Sequence, residues 1–176
     1  MTRVETTACV LAMNDLIGEH LRAGRAVRFT IPTTSMMPTF KPGDTVVVQS
    51  YDSSMLRVGD IVVRQVEEVW VAHRLVEHRV VTDQVVCVTK GDHQPHRDRV
   101  WHAASREGVV ITLENNGQVK NLRARPIKIL YQWIAQLSRA EAYWAEAPRT
   151  FLHRGARKAC HLLMIAIASI ARWIAR

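Results

Sequence analysis

The chain has 176 residues, 48% of them apolar, with 24 Lys+Arg against 16 Asp+Glu; this is the size and balance of one packed domain with an appendage, and it excludes a multidomain, disordered or collagen-like protein. Cys9, Cys87 and Cys160 lie far apart with no C-x-x-C pair, so neither a disulfide framework nor a thiolate zinc site is expected. The net charge of +8 is unevenly spread, because residues 1–122 hold 14 basic and 14 acidic side chains while residues 123–176 hold the other 10 basic ones against Glu141 and Glu146 alone.

Residues 5–23 place Val10, Met13, Ile17 and Leu21 at three- and four-residue spacing among charged neighbours, the pattern of an amphipathic helix that packs rather than spans. The start lacks the basic and apolar run of a cleaved export signal, and no apolar stretch reaches twenty residues, so neither export nor a spanning helix is expected. From Arg25 the pattern changes to short Val/Ile/Thr-rich runs, predicting strands at 26–31, 45–50, 60–66, 70–81, 85–89, 109–113 and 118–122. Between the last two, Asn115-Asn116-Gly117 supplies the positive φ of a tight hairpin. Pro126 and Pro148 then suit the first turns of two helices.

In the first of these, Ile127, Leu130, Ile134, Leu137 and Trp144 share a face. The second carries an uncharged run at 162–171, apolar except for Ser169, bracketed by Arg154, Arg157 and Lys158 before it and by Arg172 and Arg176 after. Ten residues rise only about 15 Å, half a hydrocarbon core, so this helix either lies in a membrane interface with Trp173 at headgroup level or packs on the β domain with a solvated basic face. The expected fold is α+β: an N-terminal helix at 1–24, a mostly antiparallel β domain at 25–122 and a basic tail of two amphipathic helices at 123–176.

Chemistry concentrates in four stretches. Ile31-Pro32-Thr33-Thr34-Ser35-Met36-Met37-Pro38-Thr39 runs into Pro42-Gly43-Asp44 and a valine-rich strand; Val58-Gly59-Asp60-Ile61-Val62-Val63, Val71-Ala72-His73-Arg74-Leu75-Val76 and Thr89-Lys90-Gly91-Asp92 with Asp98 follow. A serine hydroxyl needs a base within hydrogen-bond reach, His73 is such a base, and Asp98 or Asp92 can fix its tautomer and stabilise the imidazolium. His78 is a rival base, but five residues of extended chain put it on the opposite face of the strand from His73. His93, His96, His102 and Asp98 have the residue types of a metal cluster, although a polar loop explains them as well, and no metal or organic cofactor is expected.

Order and spacing of the four stretches, over about residues 28–98, resemble the boxes of type I signal peptidases, a family whose compact β fold is shared with the self-cleaving LexA-type repressors. The resemblance implies a serine endopeptidase that cleaves a peptide or preprotein after small residues by acyl-enzyme chemistry. It makes Ser35 the nucleophile and His73 the base, as in the histidine-type branch rather than the lysine-type one, since Lys90 belongs to a different box. It assigns the second aspartate of the last box, Asp98, to His73, with Asp92 ordering the loop. The oxyanion donors are then the Ser35 N–H and the Thr33 hydroxyl, and Met36 and Pro38 border the peptide groove. Thr34 departs from the glycine common in bacterial enzymes, as does the absence of a membrane helix just before the nucleophile box. The expected location is therefore cytoplasmic, free or docked on an anionic leaflet through residues 123–176. Two other functions compete: a non-catalytic module clamping a precursor peptide, and a LexA-like nucleic-acid-binding regulator, the latter weakened because residues 1–25 are too short for a helix-turn-helix.

Overall fold

The computed structural model describes residues 3–82, 84–103, 107–115, 117–146 and 151–174, with the side chains of residues 3–12 and 151 outside the description. Helix α1 (Arg3–Arg22) leads into β1 (Val27–Thr30), β2 (Thr45–Ser50), β3 (Ile61–Val66), β4 (Val69–Val81), β5 (Gln84–Lys90), β6 (Trp101–His102), β7 (Gly108–Asn115) and β8 (Gln118–Asn121). Helices α2 (Arg125–Glu146) and α3 (Phe151–Ile174) follow. All strands join one antiparallel sheet in the order β1-β2-β7-β3-β4-β5-β6, with β8 added to β7. The fold is thus α+β with a mostly antiparallel sheet, as the alternation of Val, Ile and Thr with polar residues requires.

Most strand predictions match within a residue or two, while the two-residue strand β6 and a short 3-10 helix at Ser53–Met55 are elements the sequence does not announce. Asn115 pairs with Gln118 and Gly117 has φ 75°, the conformation a tight hairpin needs; Asn116 lies outside the described residues, as do Pro148 and the side chains of Cys9 and Val10. Of the face expected in α1, Leu21 is buried and Ile17 packs against the core, but Met13 does not take its place there. Met13 is exposed, while Asn14 is buried and its Nδ2 donates to the Glu68 carbonyl at 2.7 Å in the turn between β3 and β4. A side-chain amide that satisfies a backbone carbonyl outcompetes an unbranched thioether for that inward position.

The main core lies between the sheet and the helices. Leu21 of α1, Met36 and Phe40 of the β1–β2 loop, Val46, Val63, Val110 and Leu113 of the strands, and Ile127, Ile134, Met164 and Ala168 of α2 and α3 form one buried cluster. Each fully buried large side chain contributes roughly 1.5–3 kcal/mol of hydrophobic stabilisation. Residues 123–146 and 151–174 therefore share the core of the β domain rather than trailing from it. Gly59 fixes the closest approach: its φ is 102°, and a Cβ there would stand 2.9 Å from the backbone of Tyr131 and Gln132. Only glycine lets the turn before β3 abut α2 this tightly.

Candidate active site

After β1 the chain leaves the sheet, and Ile31 closes the ensuing loop by donating its N–H to the Asp44 carbonyl at 2.8 Å while its own carbonyl accepts from Gly43. Within that loop Met37 N–H donates to the Thr34 carbonyl and Phe40 N–H to the Met36 carbonyl, so the backbone turns sharply at Ser35 and carries its side chain to the rim. Burial of Met36 and Phe40 beneath it anchors the turn. The turn also corrects one expectation: Met36 lines the groove beside Ser35, but Pro38 is carried behind it, where its carbonyl accepts from Arg172 of α3.

The groove is a cavity of about 440 Å³ walled by Phe29 and the 30–36 segment on one side and by residues 69–73 of β4 on the other, with Val46 and Val63 as its floor. Phe29 and Trp70 face each other across it, ring centroids 6.0 Å apart. Both walls are strand edges. Among the described residues β1 pairs only with β2, and β5 joins β4 only from Arg74 onward, leaving residues 69–73 paired to β3 alone.

Ser35, Thr33 and His73 all border this groove. Thr33 Oγ1 lies 3.2 Å from Ser35 Oγ. His73 is buried, and its Nδ1 lies 2.7 Å from Asp98 Oδ2, which leaves Nε2 as the ring nitrogen free to take a proton. No hydrogen bond joins Ser35 Oγ to His73 among the described residues; in the absence of substrate such contacts are commonly open.

Asp98 is the better placed of the two aspartates. Besides His73 it accepts a hydrogen bond from Thr89 Oγ1 at 2.6 Å, and Arg64 Nη2 stands 3.8 Å away. Partial burial works against its ionisation, but the His73 contact, then Thr89 and Arg64, outweigh it and hold the carboxyl below the usual carboxylate range. Asp92 is engaged elsewhere. Its two oxygens accept from Nε and Nη2 of the fully buried Arg74 at 2.8 and 2.6 Å, and Thr39 Oγ1 donates to it at 2.5 Å. Arg74 also donates to the Gly59 carbonyl and lies 4.5 Å over the Tyr131 ring, so Asp92 ties the Ser35 loop, β4 and α2 together rather than meeting His73.

Lys90 is fully buried and donates to Glu141 of α2 at 2.8 Å, a structural pairing away from the groove. Gly91 follows because a Cβ there would stand 2.8 Å from the Ser35 carbonyl, the same oxygen that accepts the His93 N–H at 2.9 Å. The two histidines of the 91–100 loop part company: His93 borders the groove, while His96 borders a separate cavity near the start of α3. His78 likewise opens onto another cavity than His73. Its separation does not rest on simple alternation, because the β4–β5 register shifts between Leu75 and Glu77 and the residues from His73 to Val76 are all buried.

The sequence reading passed over Arg64 and Thr89. Arg64 showed in the sequence only as a cation within a valine-rich strand; its place is set by register, since Val62 pairs with His73 and Arg64 with Val71, which puts Arg64 on the histidine's face of the sheet. Thr89 is the last uncharged residue before the Lys90-Gly91-Asp92 stretch, and its backbone carbonyl receives the Asp98 N–H at 2.8 Å.

No curated protein and no solved structure shows a match to the chain. The family model for signal peptidase, peptidase S26, matches residues 6–96, just over half of its length and inclusive of Ser35, His73 and Asp92, with Asp98 two residues beyond. By that match, with the groove and side-chain placement described above, the chain belongs to the signal peptidase family, peptidase S26.

Proposed function

We propose that the protein is a serine endopeptidase of the histidine-base type within this family, acting on an extended segment of a peptide or preprotein. The observation that supports it most is the convergence on one open groove of Ser35 and of a His73 already held by Asp98 through Nδ1. In the reaction His73 Nε2 takes the Ser35 hydroxyl proton as Oγ attacks the scissile carbonyl, and Asp98 stabilises the imidazolium. The Ser35 N–H and the Thr33 hydroxyl donate to the developing oxyanion, a contribution of about 10²–10³ in rate for each such donor. The C–N bond breaks as His73 returns the proton to the leaving amine, and water then hydrolyses the acyl-Ser35 ester by the same route reversed.

The two strand edges supply unpaired backbone groups to an extended peptide, which would lie between β1 and residues 69–73 as an added strand. Phe29, Met36 and Trp70 narrow the apolar space beneath it, in keeping with a preference for small side chains next to the cleaved bond. The test is cleavage of a peptide library containing Ala-x-Ala by the purified chain, read by mass spectrometry. We expect cleavage after a small residue that disappears in Ser35→Ala and in His73→Ala. Equal cleavage by Ser35→Ala would refute the mechanism, and a folded wild type that binds peptides without cutting them would indicate a clamping module instead.

A further inference from the structure

Helix α3 packs on the domain with one face only. Met164, Ala168 and Ala171 are buried, whereas Leu152 (80% exposed), Leu162, Leu163, Ile170, Trp173 (68%) and Ile174 turn to solvent. These positions fall on one side of the helix, and from Leu162 to Ile174 they form a stripe roughly 18 Å long at 1.5 Å per residue, with Leu152 alone beyond it. Solvent-facing apolar surface this continuous marks an interaction site.

Beside the N-terminal end of this stripe is a cavity of about 350 Å³ bordered by His96, Trp144, His153, Arg154, Arg157 and Lys158. Its arginines and lysine have no carboxylate partner among the described residues. Among the described residues the helical pair has no carboxylate of its own to spare for them: Glu141 is taken by Lys90 and Glu146 by Arg97. Four-residue spacing sets Arg154, Lys158 and Leu162 along one edge of α3, so the cations border the apolar stripe.

We infer that α3 is a docking surface for an anionic lipid bilayer, its apolar stripe lying in the interface and the Arg154–Arg157–Lys158 cavity receiving a lipid headgroup phosphate. Apolar side chains flanked by unpaired cations, with a tryptophan near one end, match a surface that is hydrocarbon beneath and anionic above. No helix among the described residues is long and apolar enough to cross a membrane, so α3 would lie flat. Arginine and lysine stems reach upward from the edge of such a helix and keep their charges at headgroup level. This inference does not depend on the peptidase mechanism.

The experiment is co-sedimentation of the full chain with phosphatidylcholine vesicles made with and without phosphatidylglycerol, at low and high salt. We expect binding that requires phosphatidylglycerol and weakens with salt. Two surface variants should each lower the partition coefficient about tenfold or more, Arg154→Glu/Lys158→Glu by reversing charge and Ile170→Glu/Trp173→Glu by placing charge in the stripe. These side chains are exposed, so both variants should keep the wild-type melting temperature and the wild-type turnover of a soluble peptide. Absence of binding, equal binding to both vesicle types, or binding unchanged in folded variants would overturn the inference. So would wild-type dimerisation in sedimentation velocity that Ile170→Glu/Trp173→Glu abolishes, because the face would then belong to a second copy of the chain.

Discussion

The buried pair between Lys90 and Glu141 offers the sharpest test of the division between scaffold and chemistry. Lys90 Nζ is fully buried, Glu141 is 7% exposed, and they meet at 2.8 Å. Removing one member of such a pair generally costs about 3–5 kcal/mol, because the other charge stays buried and alone. The two deletions should differ. After Lys90→Met the carboxylate has the His161 ring nearby, Nδ1 at 3.3 Å without hydrogen-bond alignment, and it can neutralise by taking up a proton, so the loss should be near the low end, about 3 kcal/mol. After Glu141→Leu the ammonium keeps, among the described residues, only the Gly91 carbonyl at 3.4 Å, and the loss should approach about 5 kcal/mol. At roughly 2–4 °C per kcal/mol for a domain of this size, the melting temperature falls by about 6–12 °C in the first case and 10–20 °C in the second. The double variant should recover most of the loss, the pair being replaceable by apolar side chains of similar volume. The assay is thermal unfolding by circular dichroism, with peptide turnover measured well below each melting temperature. If the two single losses simply add in the double variant, the pairing is not what stabilises this region. If folded Lys90→Met has no turnover while folded His73→Ala retains it, Lys90 is the base and the histidine mechanism is wrong.

Asp98→Asn should preserve the fold but lower turnover by about 10³–10⁴, since an amide can present its N–H to Nδ1 and fix the wrong tautomer; a loss under tenfold would remove Asp98 from the mechanism. The same carboxyl shapes acid stability. Its folded pKa lies below the ordinary value, so its contribution is fully present above the unfolded pKa and is lost as pH falls through the folded one. Wild-type unfolding should therefore steepen below about pH 4 relative to Asp98→Asn, and parallel pH–stability curves would contradict this. Gly59→Ala combines a forbidding φ of 102° with a 2.9 Å clash against α2 backbone; it should cost at least about 2 kcal/mol by denaturant unfolding, and a neutral effect would mean that α2 can retreat.

How much of this was readable beforehand varied by kind of information. Strand positions followed from valine-rich runs, and the order of four stretches indicated Ser35 and His73, because composition and spacing are local properties of the chain. Which aspartate meets His73 depends on where a ten-residue loop folds back, and that is decided by the Arg74 guanidinium capturing Asp92. Nothing in the spacing of Asp92 and Asp98 carries that choice. Arg64 was missed for a related reason: its nearness to Asp98 comes from β3–β4 register, a long-range property. On α1 the expected Ile17 and Leu21 hold, but Met13 yields its place to Asn14, because periodicity ranks side chains by apolarity and cannot register that an amide satisfies the Glu68 carbonyl. The C-terminal helices read as a tail because their charge differs from the rest, yet Ile134 and Met164 share the core of the strands.

His73 and Arg74 are sequence neighbours gripped by different carboxylates, Asp98 for one and Asp92 for the other. The 91–100 loop therefore acts as a two-pronged staple over the rim of the sheet, and the bearing of the imidazole is set by the same stretch of chain that locks the interior arginine. On the proposed mechanism, this makes the base hard to exchange. A lysine at position 73 would meet the Asp98 carboxylate as an ammonium ion and be held in that form, charged and useless for taking a proton at neutral pH. Converting this site to lysine chemistry would mean dismantling the Asp98 prong as well, and with it the Thr89 and Arg64 contacts that hold it. The choice of histidine is in that sense wired into the loop rather than made at one residue.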